Sequence, residues 1–193
     1  MNKPAVLVDI DDTIADAQTV LLEHVNLMSP VQYRLEDLTR ASREHNDNDY
    51  NRLVAQLLKQ PDIIGSYLPF EDAVTAMEKL HQAGFEIHIA SSRREVLHAV
   101  TTQWLRLHGF ADFITRVHPR SSTSRGHLFK VEAASIVNAV AAFDDTFDVV
   151  EALSSTVPVV YLIDRPWNHG EPTPANVKRA GSFALAVDDF LER

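Results

Sequence analysis

Two groups of carboxylates each follow a short apolar run and are the first candidates for chemistry in this sequence. They are Asp9, Asp11 and Asp12 in the first group, and Asp144 and Asp145 in the second. Acidic residues after strands can simply form turns or cap helices. Carboxylates gathered in one pocket, however, repel one another unless a hard cation neutralises them, and oxygen-only ligation suits Mg²⁺. The two groups together therefore favour a magnesium site, provided that the fold brings them together.

A calcium loop is the other conventional interpretation of the Asp9–x–Asp11 spacing. Such a loop needs Asp or Asn at its fifth position, a Gly at its sixth and a Glu at its twelfth. The sequence has Thr13 at the fifth position, no following Gly, and Val20 at the twelfth. This pattern excludes a calcium loop.

Strands and helices must alternate in a regular order if the two groups are to meet. After residue 69 the sequence alternates between helical patterns and short apolar runs. The helical patterns cover 71–82, 94–108, 130–138 and 147–153, and the strand-like runs cover 5–10, 85–90, 114–117, 140–143, 157–163 and 183–187. This order predicts an α/β fold, a Rossmann-like parallel sheet with helices on both faces. Ligands of such sheets bind beyond the carboxyl ends of the strands, where both acidic groups lie.

The segment 16–67 breaks this alternation, because it carries helical patterns and no strand-like alternation. We therefore predict a small helical cap at 16–67, inserted after the first strand. The core comprises residues 1–15 and 68–193.

Composition limits the classes of function that the chain can have. Among its 193 residues there is no cysteine, which excludes disulfides, thiolate zinc sites and a cysteine nucleophile. The first apolar run is too short for a signal peptide, and no stretch approaches the roughly 20 apolar residues that cross a bilayer. We expect a cytoplasmic protein with no membrane contact. The net charge of −9 disfavours extended nucleic-acid binding but permits one small phosphorylated molecule.

The motif Asp9-Ile-Asp11-Asp-Thr13 resembles the DxDxT signature of the haloacid dehalogenase superfamily of phosphatases. The other motifs follow in order along most of the chain: Ser91 in FEIHIASSR for the second, Lys130 for the third, and Asp144-Asp145 for the fourth. The helical segment lies where caps of the first type are inserted. As a plain helix lysine Lys130 would be solvated, but it is the only lysine between Lys79 and Lys178.

The resemblance implies a role for each residue of these motifs. Asp9 is the expected nucleophile and a metal ligand, and Asp11 is the expected general acid and base, with its carbonyl on the metal. An acidic residue at position 11 favours a phosphatase over ion pumps and carbon–phosphorus hydrolases. Ser91, Lys130, Asp12 and Thr13 are expected to bind phosphate, Asp144 to ligate Mg²⁺ directly, and Asp145 to ligate it through water or to pair with Lys130.

Position 12 departs from the pattern, since many members have Gly where this chain has Asp12. Its carboxylate adds repulsion near phosphate unless it points away.

A second resemblance concerns the substrate. VDIDDTIAD, the double aspartate and YLIDRPWNHG are similar to the 5'(3')-deoxyribonucleotidase-like branch, which implies a (deoxy)nucleoside monophosphate as substrate. Tyr33, Tyr50 and Tyr67 are candidates for stacking on a base or for ordinary packing. Arg93 is a candidate for contacting substrate or forming a surface ion pair, and Trp167 for lining the site or ending the strand.

Two other functions stay open. One is a phosphatase for another small metabolite or for a nucleic-acid 3' end. The other is a catalytically silent binding protein, which the presence of Asp9, Asp11, Lys130 and Asp144 disfavours. The sequence also leaves open whether the protein forms a homodimer.

Overall fold

A six-stranded parallel sheet forms the centre of the structure, a computed structural model that describes residues 3–39, 49–120 and 126–193. The strands are, in chain order, β1 (Ala5–Val8), β2 (Ala15–Asp16), β3 (Leu68–Pro69), β4 (Glu86–Arg94), β5 (Ile114–Arg120), β6 (Ala139–Asp144), β7 (Val159–Ile163) and β8 (Val177–Ala180). The central sheet has the order β5-β4-β1-β6-β7-β8, and each adjacent pair is parallel. The predicted parallel sheet is confirmed.

Helices cover both faces of this sheet. They are α1 (Ala17–Met28), α2 (Asp49–Leu57), α3 (Pro61–Gly65), α4 (Ala73–Gln82), α5 (His98–Leu107), α6 (Gly126–Val137), α7 (Phe147–Ser154) and α8 (Phe183–Leu191). Successive side chains of a strand point to opposite faces of the sheet. Val6 and Val8 accordingly belong to the hydrophobic cluster that includes α4 and α8, whereas Leu7 belongs to the cluster with α6 and α7. Burial on both faces explains the uninterrupted apolar run of β1.

The predicted last strand at 183–187 is wrong, because these residues begin α8. Ser182 caps this helix by accepting the N–H of Leu185 at 3.2 Å. The buried residues Phe183, Ala186 and Val187 have helical spacing, so one helix face can bury them. The true last strand, β8, is short, polar and at the sheet edge, and its sequence shows no apolar run.

One pair of short strands lies at the two ends of residues 16–67, the segment that the sequence predicts to be a cap. Ala15 of β2 pairs with Pro69 of β3, and Asp16 pairs with Leu68. The described residues between them form α1, α2, α3 and a short 3₁₀ turn, Leu35–Asp37. Buried side chains of the segment share a hydrophobic cluster with the core. The division into a core and a separate cap stays a prediction.

None of the helices within the described ranges has the length and apolar character that crossing a bilayer requires.

Candidate active site

The turn after β1 positions the first acidic group. The carbonyl of Ile10 accepts the N–H groups of Thr13, Ile14 and Ala15 at 3.2, 2.9 and 2.9 Å. Asp12 adopts a left-handed backbone conformation with φ of 58°. Asp tolerates this conformation better than most residues, and Gly adopts it at lower cost. The turn thereby leaves Asp9 and Asp11 at the carboxyl end of β1.

The carboxylate of Asp12 points to the N-terminus of α1. Its Oδ1 accepts the N–H of Gln18 at 2.8 Å, where helix amides stabilise negative charge. The Asp12 N–H donates to the Ala15 carbonyl at 2.8 Å, and the Asp12 carbonyl accepts from Arg165 Nε at 2.9 Å. The predicted phosphate contact through the Asp12 amide would therefore require the bond to Ala15 to break.

Thr13, also predicted to bind phosphate, is completely buried. Its N–H donates to the Ile10 carbonyl, and its buried Oγ1 has no hydrogen-bond partner within the described part of the chain. The structure therefore provides no open path from this side chain to a substrate.

Lys130 joins the two acidic groups. Its Nζ lies 2.8 Å from Asp9 Oδ2 and 2.7 Å from Asp144 Oδ2, and all three side chains are buried. Burial alone would lower the pKa of Lys130, but the carboxylates of Asp144 and Asp9 outweigh it and raise that pKa. Burial raises the pKa of Asp9 well above its ordinary value. Lys130 opposes this rise, and the charges of Asp144, Asp145 and Asp11 add to it.

The predicted alternative that Asp145 pairs with Lys130 is wrong, because Asp144 makes that contact. The other oxygen of Asp144 accepts the N–H of Thr146 at 2.9 Å. Asp145 Oδ2 instead accepts the indole N–H of Trp167 at 2.7 Å. The two neighbouring aspartates thus face different partners, since successive side chains at a strand end point in opposite directions.

Trp167 lies in a short 3₁₀ turn, Pro166–Asn168, after β7 and is buried against Asp145. Next to it, the Asn168 side-chain amide donates to the carbonyls of Asp145 and Ile163, both at 2.7 Å. Trp167 is not among the residues that line the cavity described below. Trp167 therefore orients the Asp145 carboxylate. It does not line the cavity, which was one of the two alternatives predicted from the sequence.

Asp9, Asp144 and Asp145 each offer one carboxylate oxygen, and these oxygens all lie within 4.8 Å of one another. Oδ1 of Asp9 is buried and accepts no hydrogen bond from the residues that the structure describes. A buried carboxylate oxygen with no partner costs free energy unless a cation or donor binds it. The oxygen-only donor set and the orphaned oxygen both fit Mg²⁺.

Asp11 forms an ion pair with Arg93 of β4. Arg93 Nη2 lies 2.6 Å from Asp11 Oδ1, and its Nε lies 3.1 Å from each carboxylate oxygen. The Arg93 side chain is only 4% exposed, whereas that of Asp11 is 26% exposed. The ion pair is therefore buried on the arginine side, and the predicted surface ion pair is wrong.

Ser91 and Ser92 lie on opposite sides of β4 because they are successive residues of one strand. Ser91 is buried, and its hydroxyl accepts the N–H of Arg93 at 3.2 Å. Ser92 lines the same cavity as Asp9 and Asp11. The resemblance singled out Ser91 for the phosphate and assigned no role to Ser92, although both follow the same apolar run.

A cavity of about 370 Å³ opens between the acidic groups and the inserted segment. Its floor consists of Asp9, Asp11, Asp12, Asp145, Thr146 and Ser92, and its roof consists of Ala17, Gln18, Leu21, Tyr50, Asn51, Val54, Ala55 and Leu58. Residues 51, 54, 55 and 58 have the spacing of one helix face. This spacing was visible in the sequence, but nothing there indicated that this face lies over Asp9.

The three tyrosines proposed for base stacking occupy different places. Tyr50 lines the cavity, and its hydroxyl accepts a hydrogen bond from the Gln18 side-chain amide. Tyr33 packs edge-on behind Tyr50, with ring centroids 5.1 Å apart. Tyr67 is fully buried, and burial raises the pKa of its hydroxyl. Only Tyr50 is among the cavity-lining residues.

Arg165 is a further residue that sequence reasoning missed. Besides its bond to the Asp12 carbonyl, its guanidinium lies 4.6 Å from the ring centroid of Phe70. It ties the turn after β1 to the end of β7. An arginine in a loop carries no sequence signal for such a contact.

No protein-family model matches this chain, and no curated relative matches it either. Solved structures match over almost its whole length. A predicted phosphatase from Clostridium acetobutylicum aligns with a TM-score of 0.71 at 13% identity, covering 100% of both chains. A haloacid dehalogenase-like hydrolase from Streptococcus pneumoniae aligns with a TM-score of 0.69 at 11% identity, covering 98% of both chains.

The chain has the haloacid dehalogenase-like fold. CbbY from Rhodobacter sphaeroides, solved in complex with phosphate, shares this fold with a TM-score of 0.63 at 13% identity, covering 97% of this chain and 100% of that one. Identities this low establish the haloacid dehalogenase-like fold alone. None of the three neighbours is described as a nucleotidase, so the narrower resemblance to deoxyribonucleotidases stays a proposal.

Proposed function

We propose that this protein is a Mg²⁺-dependent phosphomonoester hydrolase that acts through an aspartyl-phosphate on Asp9. The observation that carries the proposal is the convergence of Asp9, Lys130, Asp144 and Asp145 beneath one cavity, with Oδ1 of Asp9 unpartnered. The descriptions of the structural neighbours as hydrolases and phosphatases support the same class of reaction.

In the first half-reaction, a carboxylate oxygen of Asp9 attacks phosphorus as the bond to the leaving oxygen breaks. Asp11 gives its proton to that oxygen, so the leaving group departs as a neutral alcohol and the phosphoryl group stays on Asp9. Lys130 supplies positive charge beside Asp9, where the phosphate charge accumulates. A bound Mg²⁺ would supply further positive charge there, which offsets the repulsion between the carboxylate and the phosphate.

In the second half-reaction, water attacks the aspartyl-phosphate and its bond to Asp9 breaks. Asp11, now a carboxylate, takes the proton of the attacking water. Inorganic phosphate leaves, and both aspartates return to their starting states. Asp11 is suited to both steps because it lines the cavity and is partly exposed.

The contacts favour Asp9, Asp145 and the carbonyl of Asp11 as the groups that would hold the metal. Both oxygens of Asp144 accept short hydrogen bonds, from Lys130 at 2.7 Å and from the N–H of Thr146 at 2.9 Å. The contact of the Thr146 hydroxyl with Oδ1 of Asp145 is longer, at 3.4 Å. Asp145 lines the cavity with Asp9, and Trp167 fixes its orientation. We therefore exchange the predicted roles and assign Asp144 to hold Lys130.

The roof of the cavity supports a nucleoside as the leaving group. Asn51 carries an amide group that can pair with a base edge, and the Gln18 amide could do so by exchanging its bond to the Tyr50 hydroxyl. Tyr50 is 3% exposed, lines the cavity and carries an aromatic ring. The apolar side chains of Leu21, Val54 and Leu58 suit the flat face of a base more than a sugar covered in hydroxyls. We propose a (deoxy)nucleoside monophosphate as the substrate. The net charge of −9 disfavours a nucleic-acid 3' end.

A phosphate-release assay tests this proposal. Purified protein is given 5' and 3' nucleoside monophosphates, hexose phosphates and p-nitrophenyl phosphate, with Mg²⁺ or with chelator. We expect phosphate release from nucleotides and from the generic substrate p-nitrophenyl phosphate in Mg²⁺ but not in chelator, and a hydroxylamine-sensitive phosphoprotein after rapid acid quenching. Asp9→Asn should abolish both. Release by Asp9→Asn at the wild-type rate would contradict the assignment of Asp9, and a preference for hexose phosphates would contradict the substrate.

A further inference from the structure

The ion pair between Arg93 and Asp11 holds the proposed acid in one orientation. Three distances of 3.1 Å or less join the guanidinium to the carboxylate, and both Asp11 oxygens take part. A forked guanidinium that contacts a carboxylate through two nitrogens fixes the plane of that carboxylate, which a single ammonium group cannot do.

Arg93 is itself held from three sides. Its Nη1 donates to Thr101 Oγ1 at 3.3 Å. Its Cζ lies 5.5 Å from the ring centroid of Tyr67 and 5.8 Å from that of Trp104, within the range of cation–π attraction. The indole N–H of Trp104 donates to the Tyr67 carbonyl at 2.7 Å, which keeps the two rings in place. The guanidinium therefore has little freedom to turn away from Asp11.

Desolvating an arginine so completely is costly unless a partner compensates it. Asp11 compensates this cost through the three short contacts with the guanidinium. The cost would be avoided if residue 93 were apolar, since the surrounding rings and Thr101 could pack against it. An arginine at this position thus favours a role toward Asp11 rather than toward stability alone.

We propose that Arg93 is a positioning residue that aims the Asp11 carboxyl at the leaving oxygen. This inference rests on the proposed function, because it assumes that Asp11 transfers the proton. Arg93 takes part in no bond that forms or breaks. Its loss should therefore slow the reactions that need proton transfer most and change the others little.

Leaving groups of graded acidity test this inference. The enzymes compared are wild type, Arg93→Met, Arg93→Lys, Asp11→Asn and the double variant of Asp11→Asn with Arg93→Met. For nucleotides and alkyl phosphates, whose leaving groups need a proton, we expect Arg93→Met to lower kcat roughly 10- to 100-fold, within the range of proton-transfer catalysis. For p-nitrophenyl phosphate the expected loss is below about 3-fold, and KM should stay near the wild-type value for all substrates.

The double variant gives the decisive comparison. If Arg93 acts only through Asp11, the double variant should be no slower than Asp11→Asn alone. Arg93→Lys keeps the charge without the fork, so it should recover only part of the activity. A direct phosphate contact would instead raise KM for every substrate, including p-nitrophenyl phosphate, and would add to the effect of Asp11→Asn. That result would overturn the inference.

Arg179→Met is the control, because Arg179 is a partly buried arginine, 27% exposed, that likewise forms several hydrogen bonds, to Asp164, Asn168 and Glu171. It should lower the melting temperature without changing the dependence on leaving group. An equal loss for all leaving groups in Arg93→Met, as for a structural defect, would overturn the inference while leaving the proposed function intact. A wild type that hydrolyses no phosphomonoester would overturn both.

Discussion

The ammonium group of Lys130 lies 2.8 Å from Oδ2 of Asp9, although the two residues are far apart in sequence. The same nitrogen lies 2.7 Å from Asp144 Oδ2, so one buried cation holds two buried anions. In the described structure this contact links the carboxyl ends of β1 and β6 to α6. The stability of the protein and the geometry of the proposed nucleophile therefore depend on one side chain.

Replacing Lys130 with Met should destabilise the protein, because two buried carboxylates lose their partner. We expect the free energy of unfolding to fall by about 3–5 kcal/mol, measured by urea denaturation at neutral pH. Lys79→Met is the control, since Lys79 pairs with Asp188 at 2.6 Å while both side chains are about half exposed. Its loss should be at most about 1 kcal/mol. Equal losses in the two variants would contradict the assigned importance of the buried pair.

Removing the metal should abolish activity and lower thermal stability. Mg²⁺ at 100 times its dissociation constant should stabilise the wild type by about 2.7 kcal/mol, since it binds the folded protein alone. This stabilisation by Mg²⁺ should be lost in Asp145→Asn, because Asp145 lines the cavity and is a proposed metal ligand. Asp144→Asn should chiefly unpair Lys130 and lower stability even without Mg²⁺. Calorimetric scans with and without the ion make the comparison. If Mg²⁺ still stabilises Asp145→Asn but no longer stabilises Asp144→Asn, the roles predicted from the sequence, with Asp144 as the direct ligand, would be supported instead.

Ser92→Ala and Ser91→Ala should differ in their effects on catalysis. Ser92 lines the cavity beside Asp9, so losing its hydroxyl should raise KM or lower kcat by roughly 10-fold, the cost of one charge-assisted hydrogen bond. Ser91 is buried and accepts the N–H of Arg93, so its loss should act mainly on stability. Steady-state kinetics and melting curves of both variants check this. The opposite pattern would support the serine that the resemblance singled out.

Tyr50 should influence the choice of substrate, because it alone of the three candidate tyrosines lines the cavity. Tyr50→Ala should lower kcat/KM for a nucleotide by roughly 10-fold or more, the worth of a stacked base, and change hydrolysis of p-nitrophenyl phosphate little. Tyr33→Phe is the control, since Tyr33 packs behind Tyr50 and its ring is retained. If Tyr50→Ala keeps the wild-type ratio of the two kcat/KM values, Tyr50 does not contact the leaving group.

Acid should destabilise the protein through the buried pair of His88 and His118, whose Nδ1 and Nε2 atoms lie 3.0 Å apart. Burial, His88 and Arg116 lower the pKa of His118 to about 4, and burial also lowers the pKa of His88. Between pH 6.5 and 4 the unfolded chain therefore binds more protons than the folded one. Stability is fully present above about pH 6.5 and falls as the pH drops toward 4, by at most about 1.4 kcal/mol per pH unit for each proton.

Replacing His118 with Gln keeps a hydrogen-bonding group and removes one titrating site. The fall in the free energy of unfolding from pH 6.5 to 4 should be shallower in this variant than in the wild type. Denaturation curves at several pH values measure it. Parallel curves would show that His118 does not contribute to acid lability.

The sequence determined the strand-end placement of Asp9 and Asp144, because buried parallel strands have uninterrupted apolar runs that end where the polar site begins. The order of these runs also determined the α/β fold. The prediction from sequence was wrong for residues 183–187, because their apolar run is compatible with either a strand or a helix. It also missed β8, because this short edge strand has polar residues and no apolar run.

Only the tertiary structure decided which neighbour does what. Asp144 and Asp145, like Ser91 and Ser92, are adjacent residues of the same type, and strand twist and packing select which of each pair faces the cavity. The partnership of Arg93 with Asp11 spans 82 positions and has no local signature. Such contacts depend on the angles at which β1, β4 and α5 pack, and those angles arise from the whole core rather than from any segment of the chain.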